Sequence, residues 1–315
     1  MAFRYDPELE VILAPLMEAA AQNDPPGERS WMNVREEGEF GLAMLRDMSP
    51  PVPDVSTTDY EVAAADGASV RLRWYVKDET ECASAVVYLH GGGMVLGNID
   101  LYDAFVARYV SETGVPMLAV DYRVAPEYPH PTPVEDCFAG LAWLHEHVGE
   151  LHVDPDRVAV MGDSAGGGLA AGVALLARDR GVSLARQILV YPMLDDRNTT
   201  PDPELVPFAA WTYESNRIGW SALLGESVGG DTVPGAAAPA REQDLAEVAP
   251  AYIEVGELDI FRDEDIAYAR RLAAAGVSAE LHVHAGAPHG FDRIAPDSGV
   301  GRRSMADRVR VLRAL

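Results

Sequence analysis

Residues 158–169 read Val-Ala-Val-Met-Gly-Asp-Ser-Ala-Gly-Gly-Gly-Leu, and this stretch decides the fold. Four apolar residues typical of a buried strand lead into the pattern Gly-x-Ser-x-Gly, and an alanine- and leucine-rich run typical of a helix follows. So abrupt a turn forces its central residue, Ser164, into a strained backbone conformation, and glycines at 162 and 166 avoid a collision across it. Taken alone, the stretch fits a nucleophilic serine beside a helix N-terminus and an N-capping serine in a tight turn equally well.

Outward from this turn, short apolar strands alternate with helical segments. This pattern predicts an α/β fold with a parallel sheet covered on both faces. The predicted strands are 59–64 and 70–76, joined by the hairpin signal Asp66-Gly67, then 85–89, 116–120, 158–161, 188–190, 252–255 and 279–284. The predicted helices are 102–113, 134–148, 169–180, 263–275 and 305–315.

Two regions depart from the alternation. The first 50 or so residues predict two helices, with a break at Asp24-Pro25-Pro26-Gly27 and the second helix near 31–48. The first of these helices has apolar residues at helical spacing, namely Leu9, Ile12, Leu13 and Leu16. No strand is predicted between about 195 and 247, a length that indicates an insertion. We expect both regions to form a second layer over one end of the sheet.

A glycine-rich loop, His90-Gly91-Gly92-Gly93, directly follows the strand 85–89. Three glycines leave backbone amides accessible, either to a developing oxyanion or to a phosphate group. A P-loop is excluded because no Gly-Lys-Ser/Thr follows and Lys77 is the only lysine of the chain. Beside the serine turn, the oxyanion interpretation is favoured.

Two further polar residues follow predicted strands near the C-terminus. Asp259 comes after the strand 252–255, and His289, 30 residues later, comes after the strand 279–284. The carboxyl ends of parallel strands meet at one edge of a sheet, so we expect both side chains near Ser164. The chain order Ser, Asp, His is that of the α/β-hydrolases.

Together these motifs make the sequence similar to the bacterial hormone-sensitive-lipase family of α/β-hydrolases, the carboxylesterases with an H-G-G-G loop. The similarity covers about residues 56–310 and includes the segments 121–127 and Tyr191-Pro192. Met94 departs from the family pattern, which usually has an aromatic residue after the glycine loop. Ile260 departs as well, since proline often follows the aspartate.

The resemblance implies an α/β-hydrolase fold with an eight-stranded, mostly parallel sheet flanked by helices and a helical cap. It divides the chain into an N-terminal cap segment (1–53), a first part of the core (54–194), a cap insertion (195–247) and a second part of the core (248–315). It further implies hydrolysis of a small-molecule ester without a cofactor, through an acyl-enzyme intermediate.

The resemblance also assigns roles to site residues. Ser164 would attack the carbonyl, His289 would take and return the proton, and Asp259 would orient the imidazole. The candidate oxyanion donors are the amides of Ala165, Gly91, Gly92 and Gly93, with Gly91 a lesser candidate. The candidate substrate-pocket residues are Met94, Asp163, Phe208 and Trp211, although the two aromatic residues also fit a small core within the cap.

The same residues also fit other functions. An amidase or peptidase on this scaffold stays open, as does a non-catalytic ligand-binding protein like the plant gibberellin receptors, in which the histidine position is changed. His282 and His284 share a strand face, but the sequence places no cysteine or clustered carboxylate beside them. Solvated positions are therefore predicted, and no metal site.

The composition of the chain disfavours further classes of function. The chain has 50 acidic and 25 basic residues, and its net charge of −25 disfavours binding to nucleic acids and anionic membranes. Two cysteines, Cys82 and Cys137, fit a reducing compartment, and the N-terminal residues lack a signal-peptide pattern. A cytoplasmic ester hydrolase of short to medium acyl chains is expected, and the resemblance admits a homodimer.

Overall fold

The computed structural model describes residues 3–23, 29–80 and 83–315. The strands are β1 (Val55–Ala63), β2 (Ser69–Lys77), β3 (Ala85–Leu89), β4 (Met117–Val120), β5 (Val158–Asp163), β6 (Arg186–Val190), β7 (Ala251–Gly256) and β8 (Ala279–His284). The helices are α1 (Pro7–Asn23), α2 (Trp31–Met48), α3 (Ile99–Thr113), α4 (Thr132–His147), α5 (Ala165–Arg180), α6 (Tyr213–Leu224), α7 (Arg262–Ala274), α8 (Phe291–Ile294) and α9 (Gly299–Arg313).

All eight strands belong to one sheet, in the order β1-β2-β4-β3-β5-β6-β7-β8. The hairpin of β1 and β2 is antiparallel, and β2 also pairs antiparallel with β4, whereas every other pairing is parallel. The predicted α/β-hydrolase fold with an eight-stranded, mostly parallel sheet is confirmed. Because β3, β5 and β7 run parallel, their carboxyl ends meet at one edge of the sheet.

The central strands are apolar throughout because both faces of the sheet are covered. Every residue of β3 is buried, and its side chains alternate between two cores. Val87 and Leu89 pack into the core on one face, while Val86 and Tyr88 pack into the core on the other. Such burial on both faces produces the continuous apolar runs seen in the sequence.

The first helix covers the sheet less completely than its apolar spacing suggests. Leu9 and Leu13 are buried, but Ile12 and Leu16 are 40% and 55% exposed. The helix lies on the surface of the core that contains Val86 and Tyr88, so only one narrow face of the helix contacts other residues. Its start is fixed to the C-terminal part of the chain, since Glu8 accepts a hydrogen bond from the amide of Gly299 at 2.9 Å.

The second helix is tied to the glycine loop and the segment after β4. The Arg35 guanidinium donates to the carbonyl oxygens of Val95 (2.5 Å) and Ala125 (2.9 Å) and to both carboxylate oxygens of Glu127.

Residues 195–247, all of which are described, contain α6 and short 3-10 turns but no strand, as the sequence predicts. None of the described helices is long and apolar enough to cross a membrane.

Several element boundaries differ from the sequence-based prediction. Helix α5 begins at Ala165, four residues before the predicted start, because the glycine-rich turn after Ser164 is itself helical. Helix α9 likewise begins at Gly299, where Ser298 caps it by accepting from the amide of Gly301. The predicted break at 24–27 and Cys82 lie outside the described residues, and Cys137 is buried.

Asp265, in the first turn of α7, is a carboxyl group buried without a partner. It is 0% exposed, and neither oxygen has a hydrogen-bond partner within the described residues. Burial, reinforced by Glu264 and Asp259, raises the pKa of Asp265 well above its ordinary value. The folded state then binds more protons than the unfolded state, so stability falls as the pH rises from about 4 toward the folded-state pKa.

We expect Asp265→Asn, which cannot ionise, to gain stability relative to the wild type as the pH rises. Urea denaturation should show an advantage of at least about 1 kcal/mol near pH 8, shrinking toward about pH 4, since one pKa unit corresponds to about 1.4 kcal/mol. Asp263→Asn, whose carboxylate in the same turn is 76% exposed, is the matched control and should follow the wild type. Parallel stability profiles for Asp265→Asn and the wild type would contradict the expectation.

Candidate active site

Ser164 occupies a strained turn at the carboxyl end of β5. Its φ of 55° and ψ of −120° lie where side-chain-bearing residues are uncommon. The turn is pinned because the Ser164 amide donates to the carbonyl of Val190 at 2.8 Å. Neighbouring side chains would not fit: a Cβ at Gly162 would collide with the carbonyl of Gly166, and one at Gly166 with the carbonyl of Leu89.

The Ser164 hydroxyl faces His289 instead of capping α5, every residue of which is described. The Oγ atom lies 3.0 Å from Nε2 of His289, and Nδ1 of the same ring lies 2.7 Å from Oδ2 of Asp259. An imidazole that donates from Nδ1 to a carboxylate presents its Nε2 lone pair to the hydroxyl. The structure therefore brings together the three residues that sequence spacing placed at one edge of the sheet.

The acid and the imidazole are held from several sides. Asp259 is 1% exposed, and its Oδ1 accepts a hydrogen bond from the amide of Phe261 at 3.0 Å. The backbone therefore holds the carboxylate independently of its contact with the imidazole. The rings of Tyr191 and Phe261 pack edge-on against His289, with centroids 4.7 Å and 5.2 Å away. Aromatic walls on two sides leave the imidazole little freedom to rotate.

The glycine loop borders the serine turn. Gly92 and Gly93 have φ values of 130° and 57°, and a Cβ at Gly92 would collide with the carbonyl of Leu96. His90 is stacked on Tyr122 at 4.1 Å, and burial lowers the pKa of its imidazole. None of the backbone hydrogen bonds between described loop residues uses the Gly92 or Gly93 amide. The glycines thus allow the loop to fold tightly while these two amides make no backbone hydrogen bond among the described loop residues.

Residues of α2 and the insertion cover this loop. Trp211 lies against Gly93, since a Cβ there would collide with its ring. Val34 of α2 and Ile218 of α6 form a small apolar cluster with Leu96 just beyond the loop. Ser164 itself is only 6% exposed, so it lies beneath the molecular surface.

A comparison with protein families identifies the fold. A family profile described as the α/β-hydrolase fold matches residues 86–293, more than half of the chain. The chain belongs to the α/β-hydrolase family. The matched residues include the glycine loop, the serine turn, Asp259 and His289.

Similar proteins agree with this assignment. The esterase LipI of Mycobacterium tuberculosis is 35% identical over 259 residues, 78% of this chain and 79% of LipI. The ethyl acetate hydrolase of Pseudomonas putida is 33% identical over 264 residues, 82% of this chain and 81% of that enzyme. A solved bacterial heroin esterase is 36% identical with a TM-score of 0.86, covering 98% of this chain and 97% of its own. The resemblance to the hormone-sensitive-lipase type is confirmed.

The four pocket candidates of this hydrolase have different surroundings. Trp211 borders the glycine loop, whereas Phe208 packs edge-on against Tyr5 at 5.0 Å, on the N-terminal segment. Met94 is 0% exposed and packs beneath α5 in the main core. Asp163 is engaged in a buried ion pair with Arg293 at 2.7 Å. Of the four, Trp211 lies against Gly93 and Asp163 against Gly91, so these two are in contact with the glycine loop.

The prediction of solvated histidines on β8 is wrong for His284. Its side chain is 9% exposed, and its Nε2 lies 3.3 Å from the fully buried carboxylate of Glu254. His282 lies 2.8 Å from Glu280 and 3.7 Å from Asp307, so carboxylates do cluster beside it. Glu280 is two residues from His282 in the sequence, but Asp307 comes from α9, 25 residues further along, and its approach depends on the fold.

Sequence reasoning also missed Arg293 and Tyr88. Both reach the carboxylate of Asp163, from α8 and from β3. Their only signals were an arginine four residues after His289 and a tyrosine two residues before His90. Neither signal predicts a contact with Asp163 unless the arrangement of the strands and helices is already known.

The glycine loop yields a prediction for the reactivity of Ser164. A fluorophosphonate should label Ser164, and Gly92→Ala should slow the labelling by about 10²-fold or more, because a displaced loop would not supply the expected amide donors to the phosphoryl oxygen. Gly41→Ala is the matched control, since a Cβ there meets no atom within 4 Å. Mass spectrometry of the adduct gives both rates. Equal labelling rates in Gly92→Ala and the wild type would refute the expected role of the glycine loop as a source of oxyanion donors.

Proposed function

We propose that this protein hydrolyses small-molecule carboxylic esters of short to medium acyl chain through Ser164, His289 and Asp259. The observation that carries the proposal is the position of the imidazole, 3.0 Å from the hydroxyl and 2.7 Å from the carboxylate. Similarity to proteins named esterase LipI and ethyl acetate hydrolase supports the same reaction.

The reaction begins with proton transfer. His289 accepts the proton of the Ser164 hydroxyl as Oγ attacks the ester carbonyl. Asp259, buried and hydrogen-bonded to Nδ1, stabilises the imidazolium that forms. His289 then donates this proton to the alkoxide leaving group, leaving Ser164 acylated. Water, deprotonated by the same imidazole, attacks the acyl group, and the imidazolium returns the proton to Ser164 Oγ as the acid is released.

Charge on the tetrahedral oxygen is stabilised by backbone amides. The Ala165 amide stands at the N-terminus of α5, where the helix dipole is positive. We propose that the amides of Gly92 and Gly93 in the glycine loop supply the other donors, with Gly91 a lesser candidate. One such donor contributes about 3 kcal/mol to transition-state stabilisation in comparable enzymes.

The cover over the site favours short substrates. We propose that residues 1–53 and 195–247 form a cap on the core segments 54–194 and 248–315. Helix α2 and Trp211 lie over the glycine loop, and we propose that this cover limits the length of the acyl chain that fits beside Ser164. Ethyl acetate, named for the Pseudomonas relative, is an ester of this small size.

Ser164→Ala provides the most direct test of the reaction. Loss of the nucleophile should reduce hydrolysis of p-nitrophenyl acetate by about 10⁴-fold or more while leaving the folded structure unchanged. Ser221→Ala, at an exposed position of α6, should retain wild-type activity. Hydrolysis by purified Ser164→Ala at more than about a hundredth of the wild-type rate would overturn the mechanism.

A series of p-nitrophenyl esters from acetate to palmitate tests the acyl-chain length. We expect kcat/KM to peak at short or medium chains and to fall steeply beyond them, because the cover excludes longer ones. A p-nitroanilide with the preferred acyl group should react far more slowly, since an amide needs stronger protonation of its leaving group. A maximum at palmitate would exclude the short-chain assignment, and comparable anilide turnover would favour an amidase.

A further inference from the structure

The carboxylate of Asp163, the residue before Ser164, lies where three loops of the site meet. Its Oδ1 accepts a hydrogen bond from the Tyr88 hydroxyl at 2.5 Å and lies 2.7 Å from Nη2 of Arg293. Its Oδ2 faces the glycine loop, since a Cβ at Gly91 would collide with it. The side chain is only 5% exposed. One buried carboxylate thus adjoins the serine turn, the glycine loop and the helix that follows the histidine.

Arg293 is held rigidly on the other side of this contact. It lies in α8, four residues after His289, and donates from Nη1 to the Tyr102 hydroxyl at 2.9 Å. Its guanidinium carbon lies 4.5 Å and 4.9 Å from the ring centroids of Tyr102 and Phe105. Planar stacking between aromatic rings suits arginine and not lysine. The cation is therefore fixed with respect to α3 as well as Asp163.

The pair matters electrostatically because a carboxylate stands beside the position where an oxyanion would develop. In a site of low dielectric, an uncompensated negative charge there would oppose the transition state. Burial alone lowers the pKa of Arg293, but Asp163 and the surrounding tyrosines outweigh it and hold the pKa well above its ordinary value. The guanidinium stays charged and balances the carboxylate.

We propose that the ion pair of Asp163 and Arg293 is a positioning device for the hydrolysis. It holds the serine turn, the glycine loop and the histidine loop in register, and it keeps a buried negative charge from opposing the oxyanion. The inference rests on the proposed function. Neither residue touches the ester, so both act through Ser164, Gly91 and His289.

A double-mutant cycle tests the pair. Asp163→Asn leaves a buried cation unpaired and Arg293→Met leaves a buried anion unpaired, so each should lower kcat by about 10²-fold with KM changed less than about threefold. The double variant also lacks the contact that holds the loops, so its kcat should be close to that of the single variants and not about 10⁴-fold below the wild type. Arg293→Lys, which keeps the charge without the stacking, should retain more activity than Arg293→Met.

The pair of Arg123 and Asp136 provides a matched control. Its ion-pair distance is also 2.7 Å, and its side chains are 16% and 0% exposed, against 13% and 5% for Arg293 and Asp163. Arg123→Met should reduce the free energy of unfolding but leave kcat within about twofold of the wild type. Expressing kcat per phosphonate-titrated site removes the contribution of misfolded protein.

The outcomes separate this inference from the proposed function. If the wild type hydrolyses no ester and Ser164 takes up no phosphonate, the proposed function itself fails. If the wild type is active and Arg293→Met retains its kcat, or the two losses are simply additive in the double variant, only the positioning role fails. An equal kcat loss in Arg123→Met would show that the effect is general loss of stability.

Discussion

The turn from β5 into α5 is the constraint on which the site depends. The chain reverses from strand to helix at a single residue, Ser164, whose φ is 55°. Such backbone strain persists only where the surroundings enforce it, and the amide of Ser164 is bonded to Val190 while its flanking glycines are pressed against backbone carbonyls. The hydroxyl is therefore delivered to the edge where β3 and β7 also end. The other two loops need only to follow their own strands to reach it.

The parallel sheet explains why residues far apart in sequence meet. His289 and Ser164 are separated by 125 positions, yet their loops leave the same edge. Behind the histidine, Tyr191 donates to Asp292, which pairs with Arg308, which in turn pairs with Glu254. This chain of buried contacts connects the loop after β6, the helices α8 and α9 and the strand β7. The imidazole thus sits on a support that is hydrogen-bonded as well as packed.

The sequence predicted the local features well and the non-local ones poorly. Strands β3 and β8 were placed at their observed bounds, because an apolar run and a following turn signal are local properties. The meeting of Ser164, Asp259 and His289 was predicted from their places after predicted parallel strands, together with the motifs and the chain order of the α/β-hydrolases. The contact of Asp163 with Arg293 did not, since it depends on how α8 folds back over β3 and β5. Burial of His284 was missed for the same reason: its partner Glu254 lies on the neighbouring strand and is itself held by α9.

Four buried carboxyl groups of this acidic chain, those of Glu254, Asp163, Asp265 and Asp259, have three different kinds of surroundings. The surroundings differ in the partner that each carboxyl group meets. Glu254 and Asp163 are paired with arginines and hold separate elements together. Burial raises the pKa of Asp265, which lacks a hydrogen-bond partner within the described residues and therefore favours its neutral form. Asp259 instead meets an imidazole and one backbone amide. An arginine at that position would fix the charge permanently, whereas an imidazole can gain and lose a proton during each turnover. In the proposed mechanism, the imidazole partner thus distinguishes Asp259, which takes part in proton transfer, from the carboxylates that only hold elements in place.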